Sequence, residues 1–379
     1  MQPSARIALR LASRRPLLSS STAVLPRQIH STPTTPATVS PIHGSGPPPE
    51  PPVPAADSVS QRLARRKKQA ALLSAAQEIR ASTRNKSGQS QPLRKRFWKD
   101  VCVREVDGAW EVHLDARPLR HPTTKEIVRL PLSKPMLASA IALEWDMLIS
   151  AQQATKSHLI PLTSLVCRAI DIAEEDAAPP KNASSVGETI RAGITRTVMR
   201  YLETDSLLCW APPPGKHDFV EGQETLREKQ MRAAEDIVGF LRSRVWPGVE
   251  IEPVLDGESI MPKKQSEVTR QIVQGWVMGL SSWELAGLER GVLAGKGLLG
   301  AVRLVVEWSE GPVGAGVGDG ASGAERKFGV EEAAKAASLE VDWQIGNWGE
   351  VEDTHDVEKE DLRRQLGSVV LLVTGTGKA

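Results

Sequence analysis

The sequence predicts an α+β protein: a small β-rich N-terminal domain followed by a larger all-α helical domain. Residues 101–114 hold two short runs in which apolar and polar residues alternate, separated by Asp107-Gly108. From residue 185 onward, nearly every segment instead repeats its apolar residues at helical spacing. Strands followed by helices, rather than a regular alternation of the two, favour the α+β class.

The alternating runs predict a β-hairpin. Two period-2 segments joined by a glycine-containing connection are typical of antiparallel strands and a tight turn. Arg117-Pro118 closes the second strand, and residues 127–131 predict a third, short strand.

A first helix is predicted after Ser133, the candidate N-cap, with Pro135 in its first turn. An apolar stripe at 3.6-residue spacing places Trp145 on the buried face. Glu144 and Asp146 flank this ring, and the pattern leaves two interpretations open: capping or surface groups, or the rim of an aromatic contact.

Further helices are predicted over residues 190–202, 221–245, 264–276, 285–293, 298–308, 330–343 and 357–373. Ser281 and Glu284 form the S-x-x-E pattern of a capping box. Gly329 is the candidate N-cap of the helix over 330–343, with Glu332 placed to reach back to it.

Four regions are expected along the chain. Residues 1–30 contain five arginines among serine and apolar residues, and no acidic residue precedes Glu50. This composition predicts a mitochondrial transit peptide cleaved near residues 27–31, the alternative being a basic tail. Residues 31–93 are predicted to be a disordered, Pro/Ser-rich and basic linker. The β-rich domain with one packed helix spans 94–180, and the helical domain spans 181–379.

Composition excludes several classes of protein. Of 379 residues, 40% are apolar and 25% charged, which supports a sizeable core. The net charge of +2 gives no overall attraction to nucleic acid. Three scattered cysteines predict no disulfide framework, and no apolar run is long enough for a membrane span.

Residues 310–325 form a glycine-rich loop. It contains Gly318-x-Gly320-x-x-Gly323, which formally matches a dinucleotide fingerprint. The segment before it is helix-like and no βαβ unit surrounds it, so we interpret the loop as a flexible insertion.

No motif predicts catalysis, a metal site or a cofactor. The chain has neither a phosphate-binding loop nor a G-x-S-x-G elbow, and its histidines show no metal-ligand spacing. The remaining alternative is a matrix enzyme with an acidic active site near Glu350, Glu352, Asp353 and Asp356.

An ordered set of motifs carries a family resemblance: RFWK at 96–99, LDARPLRHPT at 114–123, EWD at 144–146, YLETD at 201–205 and WGEVED at 348–353. The set resembles the mitochondrial F(1)-ATPase assembly-factor family that chaperones the alpha subunit. The resemblance implies an ATP-independent chaperone of the mitochondrial matrix that binds this subunit and prevents its aggregation until it pairs with beta. We expect a monomer that has no cofactor, binds no nucleic acid and has no membrane span.

With the resemblance, two groups of residues are singled out. The candidates for client binding are Glu331, Trp348, Glu352 and Asp356, and structural roles are expected for Trp145, Asp115 and Asp205. One departure concerns the long central helix, where the family tends to carry Trp-Asp-Pro after a glutamine. Here Gln230 is followed by Ala234, Glu235 and Asp236 at the corresponding places, so any role of that Trp is absent or has moved.

Overall fold

The computed structural model describes residues 96–178, 188–215, 224–314, 327–351 and 354–374. The predicted transit peptide and linker, most of the glycine-rich loop, and Glu352 with Asp353 lie outside these ranges. In the described part, a small antiparallel sheet is followed by a larger helical region. The predicted α+β class is therefore confirmed.

The sheet is built around one central strand. β1 (Val101–Val106) and β2 (Ala109–Leu114) form the predicted hairpin, with Val103 opposite Val112. Asp107 and Gly108 both have positive φ, as a tight two-residue hairpin turn requires. β3 (Arg117–Pro118) and β4 (Arg129–Pro131) each pair antiparallel with β2. Residues 117–118 are thus a separate strand after a turn at 115–116, rather than the end of the second strand.

Ten α-helices follow within the described residues. They are α1 (Pro135–Asp146), α2 (Pro161–Ala177), α3 (Ile190–Arg200), α4 (Leu226–Arg244), α5 (Glu267–Met278), α6 (Ser282–Gly295), α7 (Leu299–Trp308), α8 (Val330–Ala337), α9 (Leu339–Trp348) and α10 (His355–Val373).

Capping explains where several helices begin. The predicted capping box of Ser281 and Glu284 opens α6. A second box, formed by Thr225 and Glu228, opens α4, so this helix begins later than the predicted residue 221. The prediction of Ser133 as the N-cap of α1 is wrong: Lys134 occupies that position and no side chain caps the helix. The single helix predicted over 330–343 is in fact two, because the chain bends at Ser338 between α8 and α9.

The helical core is organised around α6 and α10. A Cβ added at Gly287 of α6 would lie 3.0 Å from a Val373 methyl of α10, so glycine permits close approach of the two helices. α1 packs its buried residues Leu137, Ile141 and Trp145 against the sheet and α2. Lys134 is buried, and its ammonium donates to the Leu372 carbonyl at 2.9 Å, which ties the entry of α1 to the end of α10. Among the described helices, none combines the length and apolar character of a membrane span.

Candidate binding surfaces

Glu331 lies in the first turn of α8 on the surface, with its side chain 61% exposed. Both carboxylate oxygens accept from Arg363 Nε of α10 at 3.0 Å. The neighbouring Glu332 accepts the Gly329 N–H at 3.0 Å, as predicted from the sequence. Glu331 is therefore an exposed carboxylate that also bridges two helices.

The other proposed client-binding residues that the structure describes lie in the next two helices of the chain. Trp348 ends α9, is 68% exposed, and meets Trp343 edge to face at 5.8 Å between ring centroids. Asp356 lies in the first turn of α10 and is half-buried. Glu352 falls outside the described residues.

Trp145 lies in the core, 8% exposed. Its ring packs 5.5 Å from that of Trp98, which is fully buried, and its indole N–H donates to Thr163 Oγ1 at 2.9 Å. This one side chain therefore contacts both the segment that enters the sheet and the start of α2.

For Glu144 the sequence left two interpretations open, a capping or surface group and the rim of an aromatic contact. The structure shows a capping group, because Glu144 caps the neighbouring helix. The N-cap of α2 is Ile160, whose side chain cannot accept a hydrogen bond. Glu144 accepts the N–H groups of Leu162 and Thr163 at 2.8 and 3.0 Å in its place. Burial raises the pKa of Glu144, and hydrogen bonds from Thr163 and Leu162 oppose the shift.

Asp205 is a fully buried carboxylate that joins the start of a one-turn 3₁₀ helix, Ser206–Leu208, to the start of α7. One oxygen accepts the Leu207 N–H at 3.0 Å, and the other accepts those of Leu298 and Leu299 at 2.6 and 2.8 Å, at the start of α7. Burial raises the pKa of Asp205, while the three backbone hydrogen bonds oppose this. Orphan N–H groups at a helix start favour an ionised carboxylate, so the position is suited to structure rather than to proton transfer.

Asp115 occupies an exposed turn with φ +56°. It accepts the backbone N–H groups of Asp100 and Lys99 at 2.9 and 3.1 Å, and these hydrogen bonds hold its pKa below the ordinary value. Asp115 thereby fixes the approach of the chain to β1.

The sequence reasoning missed an apolar stripe on the outer face of α1. Met136, Leu143 and Met147, the last being the residue directly after α1, follow one another at i, i+7 and i+11 and are 55%, 61% and 73% exposed. They lie on the side of the helix away from the buried Ile141 and Trp145. We call these three residues the α1 stripe. The available signal was composition: α1 has only three polar side chains, Ser139, Glu144 and Asp146, so it holds more apolar residues than one buried stripe accounts for.

The long helix α4 shows where the departure from the family pattern lies. Gln230 is buried, and its Oε1 accepts the Ala211 N–H at 2.6 Å. Ala234 is buried without a large ring, while Asp236 pairs with Arg303 of α7 at 2.7 Å. The Arg303 guanidinium also lies over the Phe240 ring at 4.9 Å, so α4 and α7 are joined by this cation instead.

Comparison with known proteins places these features in a family context. A family model described as ATP12 chaperone protein matches residues 95–242. "Protein atp12, mitochondrial" of Schizosaccharomyces pombe is 30% identical over 292 residues, covering 77% of this chain and 86% of that protein. "Protein ATP12, mitochondrial" of Saccharomyces cerevisiae is 30% identical over 304 residues, covering 77% and 88%.

Two solved structures share the fold. Atp12 from Paracoccus denitrificans matches with a TM-score of 0.51 and 19% identity, covering 74% of this chain and 97% of that one. The Atu1473 protein from Agrobacterium tumefaciens matches with a TM-score of 0.50 and 22% identity, covering 75% and 87%.

Proposed function

Since this chain belongs to the ATP12 chaperone family, we propose that it is an ATP-independent assembly chaperone that binds the alpha subunit of the mitochondrial F(1) ATP synthase. The protein is mitochondrial, as are the two yeast relatives by name. In this proposal it acts as a monomer in the matrix and holds the alpha subunit until the beta subunit arrives.

The observation that carries the proposal is the α1 stripe. A contiguous apolar surface left open on a folded protein is typical of an interaction site. Two of its three residues are methionines, whose flexible, polarisable side chains adapt to irregular partner surfaces. An alpha subunit without its beta partner exposes apolar interface, which is the chemistry that such a stripe would cover.

The proposed mechanism needs binding alone. A chaperone that covers the exposed apolar surface of its client lowers the concentration of free, aggregation-prone client by mass action. The stripe is supplied by a helix packed on the sheet, so it is already in place before the client arrives and little ordering cost opposes binding.

The test replaces Met136, Leu143 and Met147 with glutamine together. Glutamine keeps the helix propensity at these exposed positions, so folding should be preserved while the apolar surface is lost. We expect the variant to lose its ability to suppress light scattering by purified alpha subunit. The matched control replaces Val268 and Ile272, which are exposed apolar residues of α5, with glutamine in the same way. This control should protect the alpha subunit from aggregation as wild type does. Full protection by the α1 variant would refute the assignment of the surface.

The alternative of a matrix enzyme gains no support from the residues that the structure describes. Near the start of α10, His355 Nδ1 accepts the Val351 N–H at 3.1 Å, which is a local turn contact. No group of three or more potential metal ligands occurs within the described ranges. The family relationship favours a binding protein.

A further inference from the structure

A cavity of about 860 Å³ lies between the turn at residues 120–123, α2 and α6. Its volume is in the range of sites for small organic molecules or peptide side chains. Ile160, Leu165 and Leu293 give it apolar walls, and several charged side chains converge on it. The cavity is formed where the conspicuous LRHPT sequence meets the helical core.

Most of the charges around the cavity are already matched. Arg168 of α2 makes a two-pronged ion pair with Glu289 of α6, with both N–O distances at 2.8 Å. His121 is 4% exposed, and its Nδ1 accepts the N–H groups of Thr123 and Thr124. Its proton is therefore on Nε2, which faces Asp171 Oδ1 at 3.4 Å without a well-formed hydrogen bond.

Two cations of the lining, Arg120 and Arg290, have no ion pair among the described residues. Arg120 donates to the Lys125 carbonyl at 2.8 Å, whereas Arg290 of α6 has no bond of that quality. Its guanidinium is half-buried and lines the cavity, yet it forms no ion pair with any described carboxylate. Its hydrogen bond in the structure is a long one, from Nη2 to Ser164 Oγ at 3.4 Å. A guanidinium has five N–H donors in a fixed fork, so most of its bonding capacity here is open. Burial lowers the pKa of Arg290, and the nearby carboxylates of Glu289 and Asp361 oppose this shift, so the guanidinium has charged neighbours but few hydrogen bonds.

We propose that this cavity binds an organic carboxylate, which pairs with the Arg290 guanidinium and accepts a further hydrogen bond from the Ser164 hydroxyl. The planar fork of arginine matches the two oxygens of a carboxylate. A monoanion suits the site better than phosphate, because Asp171 and Glu289 also line the cavity and would repel a second negative charge.

The carboxylate has two possible sources: a glutamate side chain of a bound peptide, or a small free acid. Two monoanionic probes separate them, namely a blocked pentapeptide, acetyl-Ala-Leu-Glu-Leu-Ala-amide, and butyrate. The glutamine counterpart of the peptide and inorganic phosphate complete the set. Binding is measured by titration calorimetry on the purified full chain, without any client, so failure here would leave the proposed chaperone function untouched.

We expect at least one carboxylate probe to bind wild type, and the glutamine peptide to bind more weakly. Arg290→Gln should lower the affinity about tenfold or more, because a charge-assisted hydrogen-bonded pair is lost. Ser164→Asp places a carboxylate of the chain itself beside Arg290 and should also block binding. If Arg290→Gln fails to fold, the affinity of Ser164→Asp for the carboxylate probes tests the proposal instead.

Arg232→Gln, which removes a largely exposed cation of α4, is the matched control and should bind as wild type does. A response to the glutamate peptide alone identifies a peptide-borne carboxylate, and a response to butyrate alone identifies a free acid. The proposal is overturned if neither probe binds, if Ser164→Asp and a folded Arg290→Gln both bind normally, or if phosphate binds more tightly than both carboxylates.

Discussion

At the scale of single residues, Trp145 should govern stability. Trp145→Ala removes a buried ring that packs on Trp98 and leaves the Thr163 hydroxyl without its indole donor. We expect a loss of about 3–5 kcal/mol in the free energy of unfolding, as for other large-to-small changes in a core. Chemical denaturation measures it.

The control for Trp145 is the chain's own exposed tryptophan. Trp348→Ala removes a ring of the same size from a surface position that is 68% exposed, so the free energy of unfolding should stay close to that of wild type. Equal losses for the two variants would show that ring size, rather than burial, sets the effect.

Glu144 should make stability depend on pH in a defined direction. Its pKa is raised in the folded protein by burial, so folding favours the protonated form. That contribution is fully present below the pKa of an unfolded glutamate, about 4.3, and is lost as the pH rises through the folded pKa. The stability advantage of wild type over Glu144→Gln should therefore grow as the pH falls from 7 towards 4. Denaturation at several pH values measures the gap, and a constant gap would contradict the prediction.

At the scale of elements, the start of α7 depends on a close fit between Gly297 and Asp205. A Cβ at Gly297 would lie 2.9 Å from Asp205 Oδ1, so Gly297→Ala should displace the carboxylate that caps α7. We expect a loss of about 1–3 kcal/mol, the cost of leaving a buried donor unsatisfied.

Gly300→Ala is the matched change within α7. Its Cβ would make only ordinary contact, 4.0 Å from a Leu207 methyl, and alanine is the better helix former by roughly 0.5–1 kcal/mol. Thermal unfolding of the two variants should shift in opposite directions. If Gly297→Ala is as stable as wild type, the close fit beside Asp205 is not needed.

Two helix starts were predictable because the cap is local in sequence. Ser281 and Glu284 lie three residues apart and were recognised, and so was the return of Glu332 to Gly329. One local box was missed, that of Thr225 and Glu228. Two other missed caps come from elsewhere in the chain: Glu144 serves α2, and Asp205 serves α7 across 93 residues. A pattern read along one segment cannot contain such a partner.

At the scale of the whole molecule, the fold class followed from the order of the elements, but the surfaces did not. Lys134 meets the end of α10 across 238 residues, and the Arg290 guanidinium lines a cavity together with the turn at residues 120–123. The α1 stripe is exposed because the sheet, α2 and α10 all pack on the other side of that helix. These are consequences of tertiary packing, which local propensity does not encode.

Glu331 stays our candidate for a charge that sets client specificity. Its ion-pair partner Arg363 allows this role to be tested by mutation. The pair is exposed, so breaking it should cost only about 0.2–1 kcal/mol. We therefore expect Glu331→Lys to keep its helical circular dichroism and nearly its wild-type melting temperature, but to lose protection of the alpha subunit. Glu332→Gln, which alters the cap of α8 instead, should change stability slightly and protection little.

The double variant Glu331→Lys with Arg363→Glu separates a role in client binding from a role within the protein. It restores an ion pair between α8 and α10 with reversed polarity, so any effect transmitted through helix packing should be repaired. A client that contacts the Glu331 carboxylate would still meet the wrong charge, because rim charges act mainly on specificity and association rate. We expect the double variant to melt slightly below wild type, because Arg363→Glu also gives up the ion pair with Glu360, and still to fail in suppressing aggregation of the alpha subunit. Recovery of protection would assign Glu331 to the α8–α10 contact alone and leave the α1 stripe as the proposed client surface.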